Sequence, residues 1–165
     1  MKRPIMKSHL VEPPEPIAGG RILALDLGAR RIGAALSDPL GITAQGIQTI
    51  ARTNIREDLA RLTGIIRDNG VSLIVLGNPL HMSGNEGRQS VWVRDFAERL
   101  KAHTGLPVRL WDERLTSVEA GRVLRSSGIS IEKRARAVDR LSAVLLLQSY
   151  LEAQSIQDAP VDGDE

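Results

Sequence analysis

The sequence predicts an α/β domain on a mixed five-stranded sheet: a three-stranded antiparallel meander plus two parallel strands, flanked by helices. Three observations predict it. Three short runs rich in apolar residues lie close together between Ile22 and Ile50, joined by short Gly- or Pro-marked connections that suit antiparallel neighbours. Two later apolar runs, Leu73–Leu76 and Pro107–Trp111, each follow a helical pattern, and strands separated by helices tend to pair in parallel. A chain of 165 residues, 42% hydrophobic and 25% charged, is long and apolar enough for one domain with a real core.

Ile22-Leu23-Ala24-Leu25-Asp26 reads as a buried strand broken by Gly28. Arg31 to Ser37 gives the second strand, turned by Asp38-Pro39, and Ile42 to Ile50 the third. Asn54 to Asn69 carries Ile55, Leu59, Leu62, Ile65 and Ile66 at helical spacing. Asn54 with Glu57 resembles a capping box, and Gly70 is the stop. Leu73–Leu76 is a buried strand ending at Gly77, and 78–87 is a Gly/Asn/Ser loop. Trp92, Val93, Phe96, Ala97 and Leu100 mark the inner face of a helix with Gly105 beyond its end. After the strand Pro107–Trp111, Thr116 and Glu119 cap a short helix that stops near Gly128. Ala137 to Ala153 forms a long Leu- and Ala-rich helix. Residues 1–20, with Pro13, Pro14, Pro16 and Gly19-Gly20, read as a disordered leader, 21–155 as the folded domain, and 156–165 as an acidic disordered tail.

Several classes are excluded. No apolar run is long enough to span a membrane, and the first residues lack the apolar stretch of a secretory signal. There is no cysteine, hence no disulfide, thiolate metal site or Cys nucleophile, and the cytoplasm is the expected compartment. His9, His81 and His103 are isolated and do not make a zinc site. Aromatic residues are Trp92, Phe96, Trp111 and Tyr150 only, too few for a platform that stacks successive bases.

The net charge of +2 conceals an uneven distribution. Residues 152–165 sum to −5, residues 1–20 to +1, and the body between them to +6. Of 22 basic residues only Lys2, Lys7, Lys101 and Lys133 are lysines, and the planar guanidinium of arginine suits phosphate. A basic body favours an anionic partner, although an arginine-biased genome gives the same composition.

Three acids stand at the ends of elements: Asp26 closes the first strand, Glu113 follows the last, and Asp139 lies near the start of the long helix. Each has a plain reading as a turn residue, a solvated strand-end acid or a charge favourable to the helix dipole. Together they say more. Parallel neighbouring strands would bring Asp26 and Glu113 to one carboxyl edge, where open α/β sheets bind ligands, and a helix across the sheet could add Asp139. Carboxylates so grouped repel, and divalent cations relieve the repulsion. Two such ions could bind the attacking and leaving oxygens of a phosphodiester. Arg30, Arg31, Arg114, Lys133, Arg134, Arg136 and Arg140 lie near that edge and are the candidate phosphate contacts, against the alternative of a solvated basic face. Gly28 and Gly33 flank Ala29-Arg30-Arg31-Ile32, a tight hairpin or a close approach to phosphate; no G-K-[ST] follows to make a P-loop.

Leu25-Asp26-Leu27-Gly28-Ala29-Arg30-Arg31-Ile32-Gly33-Ala34-Ala35-Leu36-Ser37-Asp38 resembles the opening motif of the YqgF family, RNase H-like homologues of Holliday junction resolvases regarded as pre-16S rRNA nucleases. The Gly77–Gly84 loop, Asp112-Glu113-Arg114-Leu115-Thr116-Ser117 and Val138-Asp139-Arg140-Leu141-Ser142-Ala143 resemble its later motifs, in the same order. The resemblance covers about 21–153. Asn78-Pro79 stands where the family has Leu-Pro, and Ser142-Ala143 where it has Ala-Ala; neither touches a candidate ligand.

The resemblance implies an RNase H-like fold, Asp26, Glu113 and Asp139 as catalytic acids and metal ligands, and two Mg²⁺ or Mn²⁺ ions. It implies endonuclease action on structured nucleic acid: pre-rRNA at the 5′ end of 16S, in contact with the ribosome, by a monomer or homodimer. Three rival expectations remain. They are a resolvase of branched DNA, a non-catalytic RNA-binding factor, and an actin-like ATP-binding protein, the last needing two such domains where this length supplies one.

Overall fold

The computed structural model describes residues 20–79, 87–112 and 131–157, and at 131–136, 139, 156 and 157 the backbone alone. Its elements are β1 (Arg21–Leu27), β2 (Arg31–Ser37), β3 (Ala44–Ala51), α1 (Ile55–Asn69), β4 (Val71–Asn78), α2 (Arg88–Thr104), β5 (Val108–Asp112) and α3 (Ile131–Gln157). The sheet order is β3-β2-β1-β4-β5. β1–β2 and β2–β3 are antiparallel, β1–β4 and β4–β5 parallel. This is the expected meander with two parallel strands. The short helix expected from Thr116 to Gly128, residues 1–19 of the leader and residues 158–165 of the tail lie outside the described residues, while residues 156 and 157, expected to begin the disordered tail, continue α3.

Element starts differ by one or two residues at β1, β3, β4 and β5 and by six at α3, and the shifts of β3 and α3 have a visible cause. β3 starts at Ala44 rather than Ile42 because Asp38 holds the preceding turn. Its Oδ1 accepts from the backbone N–H groups of Ile42 and Thr43, both at 2.7 Å, and its Oδ2 from that of Leu40 at 3.2 Å. α3 begins at Ile131, ahead of Ala137, since the charged run Glu132–Arg136 has no apolar stripe to reveal it but is made of good helix formers.

The ends of α1 follow the sequence signals. Asn54 Oδ1 accepts from the N–H of Glu57 at 3.0 Å, while the Glu57 carboxylate accepts from the Thr53 hydroxyl at 2.6 Å. Gly70 closes the helix in the left-handed region at φ 61°, which only glycine enters without strain.

The sheet separates two cores because strand side chains alternate. Leu23, Leu25 and Leu27 of β1 face α1 and α2, where Leu59, Leu62, Val93, Phe96 and Leu100 are buried. Ala24 faces α3, with Leu73 and Val75 of β4 and Ala143, Leu146, Leu147 and Tyr150 of the helix. Fully burying each large aliphatic chain contributes roughly 1.5–3 kcal/mol. Under α3 the sheet is floored by small residues: Ala24 pairs with Ala35, and Ala35 with Gly46. A Cβ on Gly46 would lie 2.5 Å from Cγ of Arg140 and 3.2 Å from Cγ2 of Val144, so the glycine lets α3 approach. Among the described residues no helix is long and apolar enough to cross a membrane.

Candidate active site at the carboxyl edge of the sheet

β1, β4 and β5 run parallel and end together. The pairs Leu25–Leu76 and Leu76–Leu110 set the register, and Asn78 pairs with Asp112 at the rim. Asp26 lies at this rim on the α3 face, by alternation from Ala24. Its antiparallel partner on β2 is Gly33. One residue beyond the Leu25–Leu76 pair brings Gly77 of β4 abreast of it on the other side. The half-buried Asp26 carboxylate thus stands between two buried glycines, with no neighbouring side chain on its own rank of β2 or β4.

Glu113 lies outside the described residues, directly after Asp112, the last residue of β5. Trp111, two residues before Glu113, packs on the α3 face. The backbone of Asp139 is described and its side chain is not. α3 enters from the carboxyl edge and runs toward the β2–β3 turn, where a Cβ on Gly41 would meet Leu151. Asp139 is one turn before Ala143, the residue over the Ala24–Ala35 floor, and so lies on the Asp26 side of it.

The candidate phosphate contacts divide similarly. Arg30 is exposed in the β1–β2 turn and Arg31 is half-buried at the start of β2. Arg140 is exposed, its stem over Gly46. Lys133, Arg134 and Arg136 lie on the first turns of α3, with only their backbone described, and Arg114 lies outside the described residues.

One basic residue at this edge escaped the sequence reading. Arg52 follows β3, and its Nη1 donates to the carbonyl of Gly28 at 3.0 Å, bracing the β1–β2 turn. Its Nε faces Oδ2 of Asp58 at 3.5 Å, and the guanidinium lies 4.4 Å from the Trp92 ring centroid. Asp58 is 1% exposed and also accepts from the N–H of Thr53 at 3.1 Å. The only signal for Arg52 was its position between a strand end and a helix cap. Asn78, at the end of β4, is tied to α2: its Oδ1 accepts from the hydroxyl of the buried Ser90.

The donors proposed for a metal are all carboxylate oxygens, the type that Mg²⁺ and Mn²⁺ select. Gly33 and Gly77 add no side chain of their own to the flanks of Asp26, where an ion and a phosphate oxygen would be held. Among the described residues no set of three His, Cys, Asp or Glu forms a competing centre.

A family model described as RuvX, Holliday junction resolvase, matches residues 20–153. A protein of Koribacter versatilis named as a candidate pre-16S rRNA nuclease is 58% identical over 137 residues, 83% of this chain and 90% of that one. A Moorella thermoacetica protein of the same name is 49% identical, over 80% and 94%. Among solved structures, Thermus thermophilus RuvC in complex with a Holliday junction substrate superposes with a TM-score of 0.52 at 12% identity, covering 82% of this chain and 96% of that one. The fowlpox virus resolvase bound to Holliday junction DNA gives 0.51 at 10% identity, covering 81% and 98%. At such identities these two establish the RNase H-like resolvase fold alone. The length of the family match and the identity to the curated relatives together place the chain in the RuvX family of Holliday junction resolvase homologues.

Proposed function

We propose that the protein is a metal-dependent endonuclease that hydrolyses phosphodiesters of structured nucleic acid, with the 5′ region of pre-16S rRNA as its substrate. The observation that carries this reading is Asp26 standing at the carboxyl edge between Gly33 and Gly77. Asp26, Glu113 and Asp139 would hold the ions, Mg²⁺ or Mn²⁺ and two in number. When bound, such ions activate water and stabilise charge on the phosphodiester oxygens. The chain's own part is to hold its carboxylates at one edge and to orient the strand. Arg30, Arg31, Arg114, Lys133, Arg134, Arg136 and Arg140 would take phosphates, contacts that position a strand without reading its sequence. The cytoplasm and the assembling ribosome are the setting this substrate requires.

The test compares the wild type with Asp26→Asn on precursor rRNA in Mg²⁺, in Mn²⁺ and in chelator. Cleavage should need a divalent ion and vanish in the variant while its circular dichroism stays unchanged. Full activity of purified Asp26→Asn would overturn the mechanism.

The family description favours a second reading, cleavage of four-way DNA junctions. Cutting two strands symmetrically calls for a two-fold dimer. A junction substrate in the same assay, with mass measured in solution, separates the two: symmetric cleavage by a dimer supports the resolvase.

A further inference from the structure

A cleft of about 500 Å³ opens at the carboxyl edge, lined by Ala29, Arg52, Arg88, Gln89 and Trp92. Trp92 packs on the α1/α2 core, so the cleft lies across the sheet from Asp26, with the β1–β2 turn between them. We infer that this cleft receives one unstacked nucleotide of the substrate strand, flanking the phosphate held at Asp26. This rests on the nuclease reading above and names a contact that reading does not contain.

The chemistry of the walls favours a nucleotide. Arg52 is locked in place by the Gly28 carbonyl, Asp58 and the Trp92 ring, which sets a planar cation over one face of the indole. Asp58 balances Arg52, but Arg88 is exposed and the first turn of α2 contains no acidic residue, so positive charge is left over. Gln89, also exposed, adds an amide that can donate and accept. The volume falls within the range of small-ligand sites, roughly 300–1,000 Å³. A single aromatic residue cannot make a platform for a run of bases, but it can hold one.

Position supports the same occupant. Gly28 is two residues beyond Asp26, about 7 Å along the strand at the usual rise. The crest of the turn is Ala29-Arg30, closed by the Gly28 N–H donating to the Arg31 carbonyl at 2.8 Å, so a strand crossing from the Asp26 face to the cleft passes the exposed Arg30, one of the candidate phosphate contacts. A base in a duplex is stacked and paired and cannot enter, whereas single-stranded loops and ends can splay a base outward.

The experiment uses the full chain carrying Asp26→Asn, to prevent cleavage, and Trp111→Phe, to leave Trp92 as the one tryptophan. It is titrated with a single-stranded oligoribonucleotide, the same sequence as a duplex, and inorganic phosphate. The single strand should change Trp92 emission, and the duplex and phosphate should not. Arg88→Gln, at an exposed position, should weaken single-strand binding about three- to tenfold and reduce the salt slope by about 0.7. Arg67→Gln, at the far end of α1, should leave both unchanged. Constant Trp92 emission or undetectable single-strand binding overturns the inference. An equal response to duplex or to phosphate, or an Arg88→Gln effect no larger than that of Arg67→Gln, overturns it too. The nuclease reading fails on different data, namely cleavage by Asp26→Asn.

Discussion

Asp26 on β1 is paired across the antiparallel ladder with Gly33 on β2. Directly opposed residues share a face with Cβ atoms roughly 4.5–5.5 Å apart, so any side chain at 33 would stand beside the carboxylate. Gly33→Val suits a strand backbone but fills the flank proposed for an ion and a phosphate oxygen. Cleavage should fall at least about tenfold in kcat, with secondary structure retained; Gly33→Ala should fall between Val and wild type. Undiminished turnover in Gly33→Val would show that the glycine serves the hairpin alone.

Much of this arrangement is legible in the sequence, and the reasons are local. The runs around Leu25 and Val75 are uninterrupted because both faces of the sheet are covered. Asn54, Gly70 and Gly105 punctuate helices by side-chain capping and positive φ, effects that need no tertiary context. What the sequence could not show depends on distant contacts. Arg52 matters because Gly28 and Trp92, far from it in the chain, converge on it. Trp92 read as an inner-face residue, and it does pack on the core, but its ring also meets Arg52 at the cleft. The apolar period could reveal only the first of these roles.

Divalent ions should stabilise the fold through the same carboxylates. A ligand at 100 times its Kd adds about 2.7 kcal/mol to the folded state. The melting temperature should therefore rise several degrees from chelator to saturating Mg²⁺. In Asp26→Asn that rise should shrink, because the ion loses a charged ligand. Equal rises in wild type and variant would place the ion away from Asp26.

Removing Arg52 should damage stability and the edge together. Asp58, 1% exposed, would keep only the Thr53 N–H among its described partners, and a buried carboxylate stripped of its cation is costly. With Arg52 16% exposed the loss is partly screened, and Arg52→Leu should destabilise by about 2 kcal/mol in urea unfolding. Arg52→Lys keeps the charge but not the fork that reaches Gly28 and Asp58 at once, and should recover only part of it.

Acid should loosen the β2–β3 turn. The Thr43 backbone N–H holds the Asp38 carboxyl below its ordinary value of 3.8, against the opposing effect of desolvation and with help from the Ile42 and Leu40 N–H groups and the Thr43 hydroxyl. A depressed folded value means stability that is present above pH 3.8 and lost as pH falls through the lowered value. Amide exchange at Ile42 and Thr43 should accelerate in that acid range in the wild type. In Asp38→Asn it should be fast already at neutral pH and change little there.

Ser142 is buried in α3, and its hydroxyl has no hydrogen-bond partner among the described residues. A buried polar group left unpaired costs roughly 1–3 kcal/mol. Ser142→Ala should therefore raise stability by about 1 kcal/mol, with alanine's helix propensity contributing in the same direction. A loss of stability in thermal unfolding would mean that the hydroxyl bonds a group outside the described residues.

Gly46 and Arg140 should be coupled. The Cβ added by Gly46→Ala would fall 2.5 Å from Cγ and 2.9 Å from Cδ of Arg140, so the arginine stem must leave β3 or α3 must lift. The single substitution should cost about 1–3 kcal/mol, the usual range for overpacking. Arg140→Ala removes the two nearest clashing atoms, so Gly46→Ala added to it should cost much less, leaving the Val144 contact at 3.2 Å. The double-mutant cycle should thus give a coupling of at least about 0.5 kcal/mol. The same pair separates packing from phosphate binding. Arg140→Ala alone should weaken nucleic-acid affinity with little loss of stability, whereas Gly46→Ala alone should lose both. Additive effects in the cycle would mean that Arg140 moves aside freely and that β3 does not position it.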